Sequence, residues 1–270
     1  MTTPGLILHD AHSSTVIPAG VRDQFVLGDA ELERELLLMT DRYVDELFAL
    51  PAAEAVTVRH GVSRLVCDPE RFERDEDEEM AGVGMGVLYT RTHAGDPAKP
   101  LRRELSGEER RTLLDACYRP HHTRLEQATS DALRLHGRCL IVDAHSFPQR
   151  PLPYEKSIRP GDLRWKHRPA ICLGTDDLHT PLWLQAAAFD AFEARFESVA
   201  FNSPFGGTIV PMRFYRRDAH VCSIMIEVRR DQCMDERTGR KLPGFDGVAA
   251  RIKAAVREVA AAAAPPRSRR

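Results

Sequence analysis

Two histidines and several carboxylates are spaced along the chain in a way that suits hydrolysis assisted by a metal ion. His12 and His145 each follow an apolar run, and Glu227 lies near the end of a third. Two imidazoles and one carboxylate, with a fourth position left to water, form a common catalytic zinc site. Zinc acidifies that water, and Glu227 would pass its proton to a leaving nitrogen. Asp143 or Ser146 would orient the ring of His145.

Three apolar runs, at 5–8, 139–142 and 222–228, predict the buried strands that would position these side chains. Ligands of open α/β sheets bind beyond the carboxyl ends of the strands, so the polar residues would meet at one edge of the sheet. Glu227 lies inside the third run, where a charged side chain is costly unless it is paired or bound. That cost indicates a functional site.

Apolar residues between positions 32 and 48 recur at three- and four-residue steps, which predicts one helix beginning at Asp29. Asp41 and Asp45 would share one edge of that helix, because residues four apart are neighbours on a helix surface. Further helical stretches are predicted within 106–136, interrupted at Pro120, and at 180–196 and 245–263.

Alternating strands and helices predict an α/β fold with a largely parallel, buried sheet. The 270 residues are enough for one large α/β domain or two small ones. We expect a single domain over 1–264 and a frayed tail at 265–270.

Composition is typical of a soluble cytoplasmic protein. A net charge of -2 gives no broad basic field for nucleic acid or acidic membranes. No signal peptide is evident, and no apolar run approaches the roughly 20 residues of a membrane span. The six cysteines form no CxxC pair, which is typical of free thiols in a reducing compartment. We expect a small-molecule partner and a monomer or small homo-oligomer.

Each candidate side chain also has a simple structural interpretation. His12 is compatible with an ordinary loop and His145 with a turn that its neighbours cap. On pattern alone, Asp41 and Asp45 would form the solvated edge of an amphipathic helix. Glu227 would pair with a neighbouring arginine on an edge strand. There is no HExxH motif, so spacing alone leaves open whether the ligands meet.

Seven segments, taken in order, resemble the N-formylglutamate amidohydrolase (N-formylglutamate deformylase) family. They are HSSTVIP (12–18), TDRYVDEL (40–47), SRLVCDPER (63–71), YRPHHTRL (118–125), DAHS (143–146), NSPFGGTIVPMR (202–213) and EVRRDQCMDE (227–236). Each segment is short, but the ordered set is specific and extends over most of the chain.

The resemblance implies a zinc-carboxypeptidase-like, three-layer α/β/α fold with a mostly parallel mixed sheet. It implies hydrolysis of the amide of an acidic N-acyl amino acid, with one Zn²⁺ as cofactor. His12 and His145 match metal-binding positions. Asp41 matches the carboxylate ligand, with Asp45 as the alternative, and Glu227 matches the general base.

Four further side chains match substrate-binding positions of the family. Arg71 and Arg213 would each grip one carboxylate of N-formylglutamate, since a guanidinium binds a carboxylate bidentately. His122 and Asn202 would hold the substrate or polarise its amide carbonyl.

The chain departs from the family pattern in two places. Glu70 replaces the usual asparagine before Arg71, and its negative charge would compete with an anionic substrate. Cys222 lies where the family has a histidine five residues before the glutamate, while His220 lies two residues earlier. Both changes are compatible with a hydrolase, and they leave the identity of the substrate open.

Three functions are therefore compatible with the sequence. The first is a zinc-dependent amidohydrolase that releases formate or another small acyl group from an N-acyl amino acid. The second is a metal-dependent carboxypeptidase or amidase acting on a peptide or cell-wall fragment. The third is a non-catalytic binding protein on the same scaffold, for which the variant Glu227→Gln would behave like the wild type.

Overall fold

The computed structural model describes residues 5–158 and 168–263. One sheet contains six strands: β1 (Leu6–Asp10), β2 (Val56–Arg59), β3 (Cys139–Phe147), β4 (Ile171–Gly174), β5 (Val199–Phe201) and β6 (Val221–Arg229). The strand order is β2-β1-β3-β6-β4-β5, and every neighbouring pair is parallel except β6 and β4. The predicted mostly parallel, mixed sheet is confirmed. The predicted tail at 265–270 lies outside the described residues.

Seven α-helices lie within the described residues: α1 (Asp29–Met39), α2 (Val44–Leu47), α3 (Gly107–Leu113), α4 (Arg119–His136), α5 (Pro153–Ile158), α6 (Leu182–Glu193) and α7 (Phe245–Ala263). In the described ranges, no helix combines the length and apolar character needed to cross a membrane.

Helices cover both faces of the sheet. On one face, Leu140, Val142 and Ala144 of β3 belong to a core that includes α6 and α7. On the other face, Ile141 packs in a smaller core with Leu125 of α4. The alternation follows from the two-residue period of a strand, and it produces the helix–sheet–helix layering that the sequence predicts.

A third apolar cluster stabilises the long connection between β2 and α3. Leu36 of α1 and Leu113 of α3 pack there with Leu65 and Tyr89 from the connection itself. The connection has little regular structure, so this apolar packing is what fixes its path. Residues 68–71 lie within it.

Strand β3 is longer than the apolar run that predicts it. The strand was expected to end before Asp143, but it continues to Phe147, and all nine residues are buried. Asp143 and His145 are therefore two residues apart on one face of a strand rather than in the loop after it. Strand β1 also extends beyond its predicted end, to Asp10.

The single helix predicted from Asp29 through position 48 is wrong. Helix α1 ends at Met39, and Tyr43 adopts a left-handed conformation with φ of 69° before α2 begins. The backbone N–H of Asp41 donates to the carbonyl of His12 over 3.0 Å. Asp41 therefore lies in a turn beside His12, and it does not share a helix edge with Asp45.

Two other local predictions change. Residues 55–67 (AVTVRHGVSRLVC) have the apolar pattern of two short strands around Gly61, but β2 is the one strand that the structure describes there. Pro120 does not break its helix, because a π-helical turn, Leu114–Tyr118, joins α3 to α4 and places Pro120 in the first turn of α4. Proline is tolerated there, since the first amides of a helix have no partner within it.

Candidate active site

Three side chains from separate parts of the chain meet at the carboxyl end of the sheet. The Nδ1 atoms of His12 and His145 lie 3.3 Å apart, and Asp41 Oδ2 lies 3.6 Å from the first and 3.0 Å from the second. The loop after β1 carries His12, β3 carries His145, and the turn after α1 carries Asp41. All three residues are buried.

The second ring nitrogen of each histidine contacts carboxylates. His12 Nε2 lies 2.8 Å from Asp68 Oδ1, and His145 Nε2 lies 3.1 Å from Asp143 Oδ1 and 3.0 Å from Glu70 Oε1. If each imidazole is neutral and donates N–H from this nitrogen to a carboxylate, both Nδ1 lone pairs face each other and Asp41. Histidines that bind metals are usually oriented in this way.

The spacing of the three facing atoms suits a small divalent metal ion. Tetrahedral ligands of zinc lie roughly 3.3 to 3.6 Å from one another, and the three distances here run from 3.0 to 3.6 Å. Two further groups bring ligand atoms within 4.8 Å of one another: His12, Glu70 and His145, and His9, Glu70 and Asp143. The donor set of two imidazoles and a carboxylate therefore fits zinc.

The carboxylates around the two imidazoles favour positive charge in this cluster. Burial lowers the pKa of His145, but Glu70, Asp143 and Asp41 outweigh it and hold that pKa well above its ordinary value. Burial raises the pKa of Asp41, yet its contacts with His12 and His145 keep it well below the usual range. Two protonated imidazoles at this separation would repel each other. A bound cation would supply the same charge without that repulsion.

Arg230 fixes Asp41 from the side opposite the histidines. Its Nη2 donates to Asp41 Oδ1 over 2.9 Å, its Nε donates to Ser146 Oγ over 3.2 Å, and its Nη1 donates to the carbonyl of Leu38. One oxygen of Asp41 thus faces the arginine and the other faces the imidazoles. Ser146 contacts Arg230 in this arrangement, whereas Asp143 contacts His145.

Asp45 is not part of the cluster. Its carboxylate lies 2.9 Å from Arg59 Nη2, and its side chain is 31% exposed. Between the two aspartates left open by the sequence, the geometry favours Asp41.

Glu227 lies beside His145 on the neighbouring strand, because β3 and β6 pair in the register His145 to Glu227. The residue is 8% exposed, and its Oε2 has no hydrogen-bond partner in the described part of the chain. Burial raises the pKa of Glu227 to about 8. An unpartnered, buried carboxyl that holds its proton this strongly is typical of a general acid or base.

These groups line a cavity of about 280 Å³ that opens at the carboxyl end of the sheet. His12, Asp41, His145 and Glu227 form part of its wall. Arg71 lines the same cavity and donates from Nε to the carbonyl of Met85 over 3.2 Å. Five of the predicted site residues are therefore brought together.

Three side chains predicted to bind substrate do not line this cavity in the described structure. The Arg213 side chain is 64% exposed and lies 3.4 Å from Glu126. His122 Nε2 contacts the carbonyl of Pro69 over 2.8 Å. In this structure Arg213 therefore lies at the surface, and His122 lies in the wall of the neighbouring chamber; their roles in substrate binding stay predictions.

Asn202 supports a loop instead of facing the cavity. Its Oδ1 accepts from the backbone N–H of Thr175, and its Nδ2 donates to Thr175 Oγ1 over 2.8 Å. This pairing joins the end of β4 to the segment that carries Gly207. A Cβ at Gly174 would lie only 2.2 Å from the carbonyl oxygen of Gly207, so the close approach of the two loops requires glycine.

Glu70 has contacts that its sequence position does not suggest. Its carboxylate was expected to compete for Arg71, but it contacts the histidines instead, with Oε1 3.0 Å from His145 Nε2 and Oε2 3.7 Å from His12 Nε2. Arg71 Nη1 contacts only the backbone carbonyl of Glu70, over 3.4 Å. The negative charge of Glu70 therefore belongs to the wall of the cavity.

Sequence reasoning missed a network around Asp68, which lies behind His12. Asp68 Oδ2 accepts from Arg64 Nη2 over 2.9 Å and from the hydroxyl of Tyr89 over 2.7 Å. Arg64 also lines the cavity. The segment SRLVCDPER contains both Arg64 and Asp68, so the resemblance provided a signal, but periodicity did not.

A buried histidine pair behind the sheet was also missed. His9 Nδ1 lies 2.7 Å from Asp143 Oδ1, and its Nε2 lies 2.9 Å from His121 Nε2. Burial and neighbouring histidines keep the pKa of His121 well below its ordinary value. A neutral His121 therefore supports His9, which in turn fixes Asp143.

Comparisons with known proteins identify the family of the chain. The sequence profile of N-formylglutamate amidohydrolase matches residues 5–234. The chain belongs to the N-formylglutamate amidohydrolase family. One curated relative in this family, an N-formylglutamate deformylase of Pseudomonas putida, is 25% identical over 235 residues, which cover 86% of this chain and 82% of the relative.

Two solved structures share the fold. The N-formylglutamate amidohydrolase of Ralstonia eutropha superposes with a TM-score of 0.81 at 22% identity, over 97% of this chain and 94% of that one. A gene product of Agrobacterium tumefaciens gives a TM-score of 0.62 at 20% identity, over 97% and 90%. The three-layer α/β/α fold expected from the sequence is confirmed.

Proposed function

We propose that the chain is a zinc-dependent amidohydrolase that cleaves the amide of an N-acyl amino acid, with N-formyl-L-glutamate as the reference substrate. Membership of the family supports the reaction class. The observation that carries the proposal is the triangle formed by the two Nδ1 atoms and Asp41 Oδ2. Beside it lies Glu227, whose Oε2 has no hydrogen-bond partner among the described residues.

His12, Asp41 and His145 would hold the metal. When bound, zinc would supply a polarised water molecule with a pKa of roughly 7 and an electrophilic contact for the amide carbonyl. Asp68 and Asp143 would keep the two imidazoles in the tautomer that leaves Nδ1 unprotonated.

Glu227 would move the proton. It would accept a proton from the attacking water as the oxygen–carbon bond forms, and it would deliver that proton to the nitrogen as the carbon–nitrogen bond breaks. The products would be formate and the free amino acid. A buried carboxyl with a raised pKa suits this role, because a base works best when its pKa lies near the working pH.

Two arginines on the cavity wall would position the substrate. Arg71 would bind the α-carboxylate, and Arg64 would stabilise the negative charge that develops on the carbonyl oxygen. Arg64 replaces His122 and Asn202 in this role, because neither of those residues lines the cavity.

The test is formate release from N-formyl-L-glutamate by the purified chain, before chelation, after chelation and after zinc is restored. We expect activity to be lost on chelation and to return with zinc. Full activity in the chelated protein, with no bound divalent ion, would contradict the proposal.

One observation favours the second function, a metal-dependent amidase acting on peptides. The cavity adjoins a chamber of about 220 Å³, and that chamber adjoins an outer groove of about 550 Å³ with which it shares Phe72, Tyr118, His122 and Met212. A formylated dipeptide tests this alternative when release of its free C-terminal amino acid is measured, since a peptidase would break the peptide bond and release no formate.

A further inference from the structure

The catalytic cavity continues into a second chamber of different chemistry. The chamber has a volume of about 220 Å³. The two spaces share the walls formed by Glu70, Arg71, Gly207, Thr208 and Ile209. Beyond these walls, the chamber has His122 and Asp176 as its polar members and is otherwise lined mainly by apolar and aromatic side chains: Phe72, Tyr118, Val210, Met212 and Tyr215. A substrate held at the junction would direct one of its groups into this apolar space.

Among the described residues, Arg71 is the cavity arginine least committed to a carboxylate of the protein. Arg230 lies 2.9 Å from Asp41 and Arg64 lies 2.9 Å from Asp68, whereas Arg71 Nη2 is 3.8 Å from Asp68. The guanidinium of Arg71 is therefore the cavity arginine best placed to bind a substrate carboxylate, and it would bind one of them.

The second carboxylate of N-formylglutamate would meet unfavourable surroundings. Arg213, expected to bind it, lies outside the cavity and beside Glu126. At the junction the substrate would instead face the carboxylate of Glu70, whose side chain is 15% exposed. Like charges separated by several ångströms in a partly buried site repel each other substantially.

We propose that Glu70 and the apolar chamber make the site selective for N-formyl amino acids with neutral, apolar side chains. The α-carboxylate binds Arg71, the side chain occupies the chamber, and Glu70 disfavours a second negative charge. This inference rests on the proposed function, because it names the substrate class of the same site.

The test compares kcat/KM for N-formyl-L-leucine, N-formyl-L-glutamate and N-formylglycine, measured as formate release. For the wild type we expect leucine to exceed glutamate by about tenfold. A preference for glutamate, or for a formylated dipeptide over N-formyl-L-leucine, would overturn the inference while leaving amide hydrolysis intact. No formate from any of these substrates would overturn the proposed function as well.

Two variants separate charge from shape. In Glu70→Gln the leucine-to-glutamate ratio should fall about tenfold, and this ratio is independent of any change in zinc content, because such a change affects both substrates equally. In Met212→Glu, which alters an exposed chamber residue, kcat/KM for N-formyl-L-leucine should fall several-fold and that for N-formylglycine should stay unchanged. An unchanged ratio in the first variant, or equal losses on both substrates in the second, would contradict the assignment.

Discussion

The two faces of the central strands β3 and β6 differ in chemistry, although each strand contributes alternate residues to both faces. On one face of β3, Leu140, Val142 and Ala144 join the large apolar core. On the other face, Asp143 and His145 are equally buried but contact imidazoles and carboxylates. Burial in the first case stabilises the fold, and burial in the second strengthens the electrostatic interactions of a site.

Strand β6 shows the same division. Ile224, Ile226 and Val228 pack in the large core. Glu227 lines the cavity, and its Oε2 has no hydrogen-bond partner within residues 5–158 and 168–263. In both strands one face packs into the large apolar core, whereas the carboxyl end of the other face, beyond the smaller core around Ile141, carries the candidate site at the cost of burying charge. Variants on the two faces should therefore fail in different assays.

The largest effect is expected for Glu227→Gln on the cavity face. Loss of the proton carrier should lower kcat for formate release by a factor of about 10² to 10⁴, with zinc content preserved and an unfolding midpoint no lower than that of the wild type. Steady-state kinetics and denaturant unfolding check this. A variant with wild-type kcat would instead support a non-catalytic binding protein.

On the opposite face, Ile224→Ala should show the reverse behaviour. Ile224 is completely buried in the large core, and its truncation should reduce the free energy of unfolding by about 2–5 kcal/mol. The value of kcat/KM below the unfolding transition should change little. A large loss of kcat/KM in fully folded protein would mean that the two faces are coupled.

The cost of burying Glu227 should appear in the pH dependence of stability. Its pKa rises from 4.5 to about 8 in the folded protein, so the folded state binds the proton more tightly than the unfolded state. The resulting stability is present below pH 4.5 and is lost as pH rises towards 8. Metal-free wild type should therefore lose stability relative to metal-free Glu227→Gln across this range in denaturant titrations. A constant difference would contradict the raised pKa.

The smallest effect is expected for Arg213→Ala. The side chain is largely exposed and its ion pair with Glu126 is a surface pair, which contributes little to stability. We expect kcat/KM to change less than about twofold, whereas Arg71→Ala should lower it about 50-fold or more. Equal losses of kcat/KM in the two variants would support substrate binding by Arg213, as the family resemblance implies.

The sequence indicates the candidate site residues that lie on strands or directly after them. Apolar runs identify the buried strands, and polar residues at the ends of such strands are unusual. His12, His145 and Glu227 were accessible in this way. Periodicity gave the wrong end for β3, since the alternating Asp143 and His145 interrupt the apolar pattern without interrupting the strand.

The remaining site residues depend on contacts between distant segments. Asp41 lies outside the helix predicted for it, because its backbone N–H donates to the carbonyl of His12 and its carboxylate pairs with Arg230. Arg64 reaches the cavity through its pairing with Asp68. No local pattern encodes such pairings, so helix and strand signals alone do not reveal them.

The central claim is tested most directly by the zinc content of the purified protein. Wild type, His145→Ala and the control His122→Ala, which alters a histidine outside the cavity, are measured by mass spectrometry of the metal. We predict about one zinc per chain in wild type and the control, and none in His145→Ala, together with loss of formate release. Zinc retained by His145→Ala, or absent from wild type, would contradict the account.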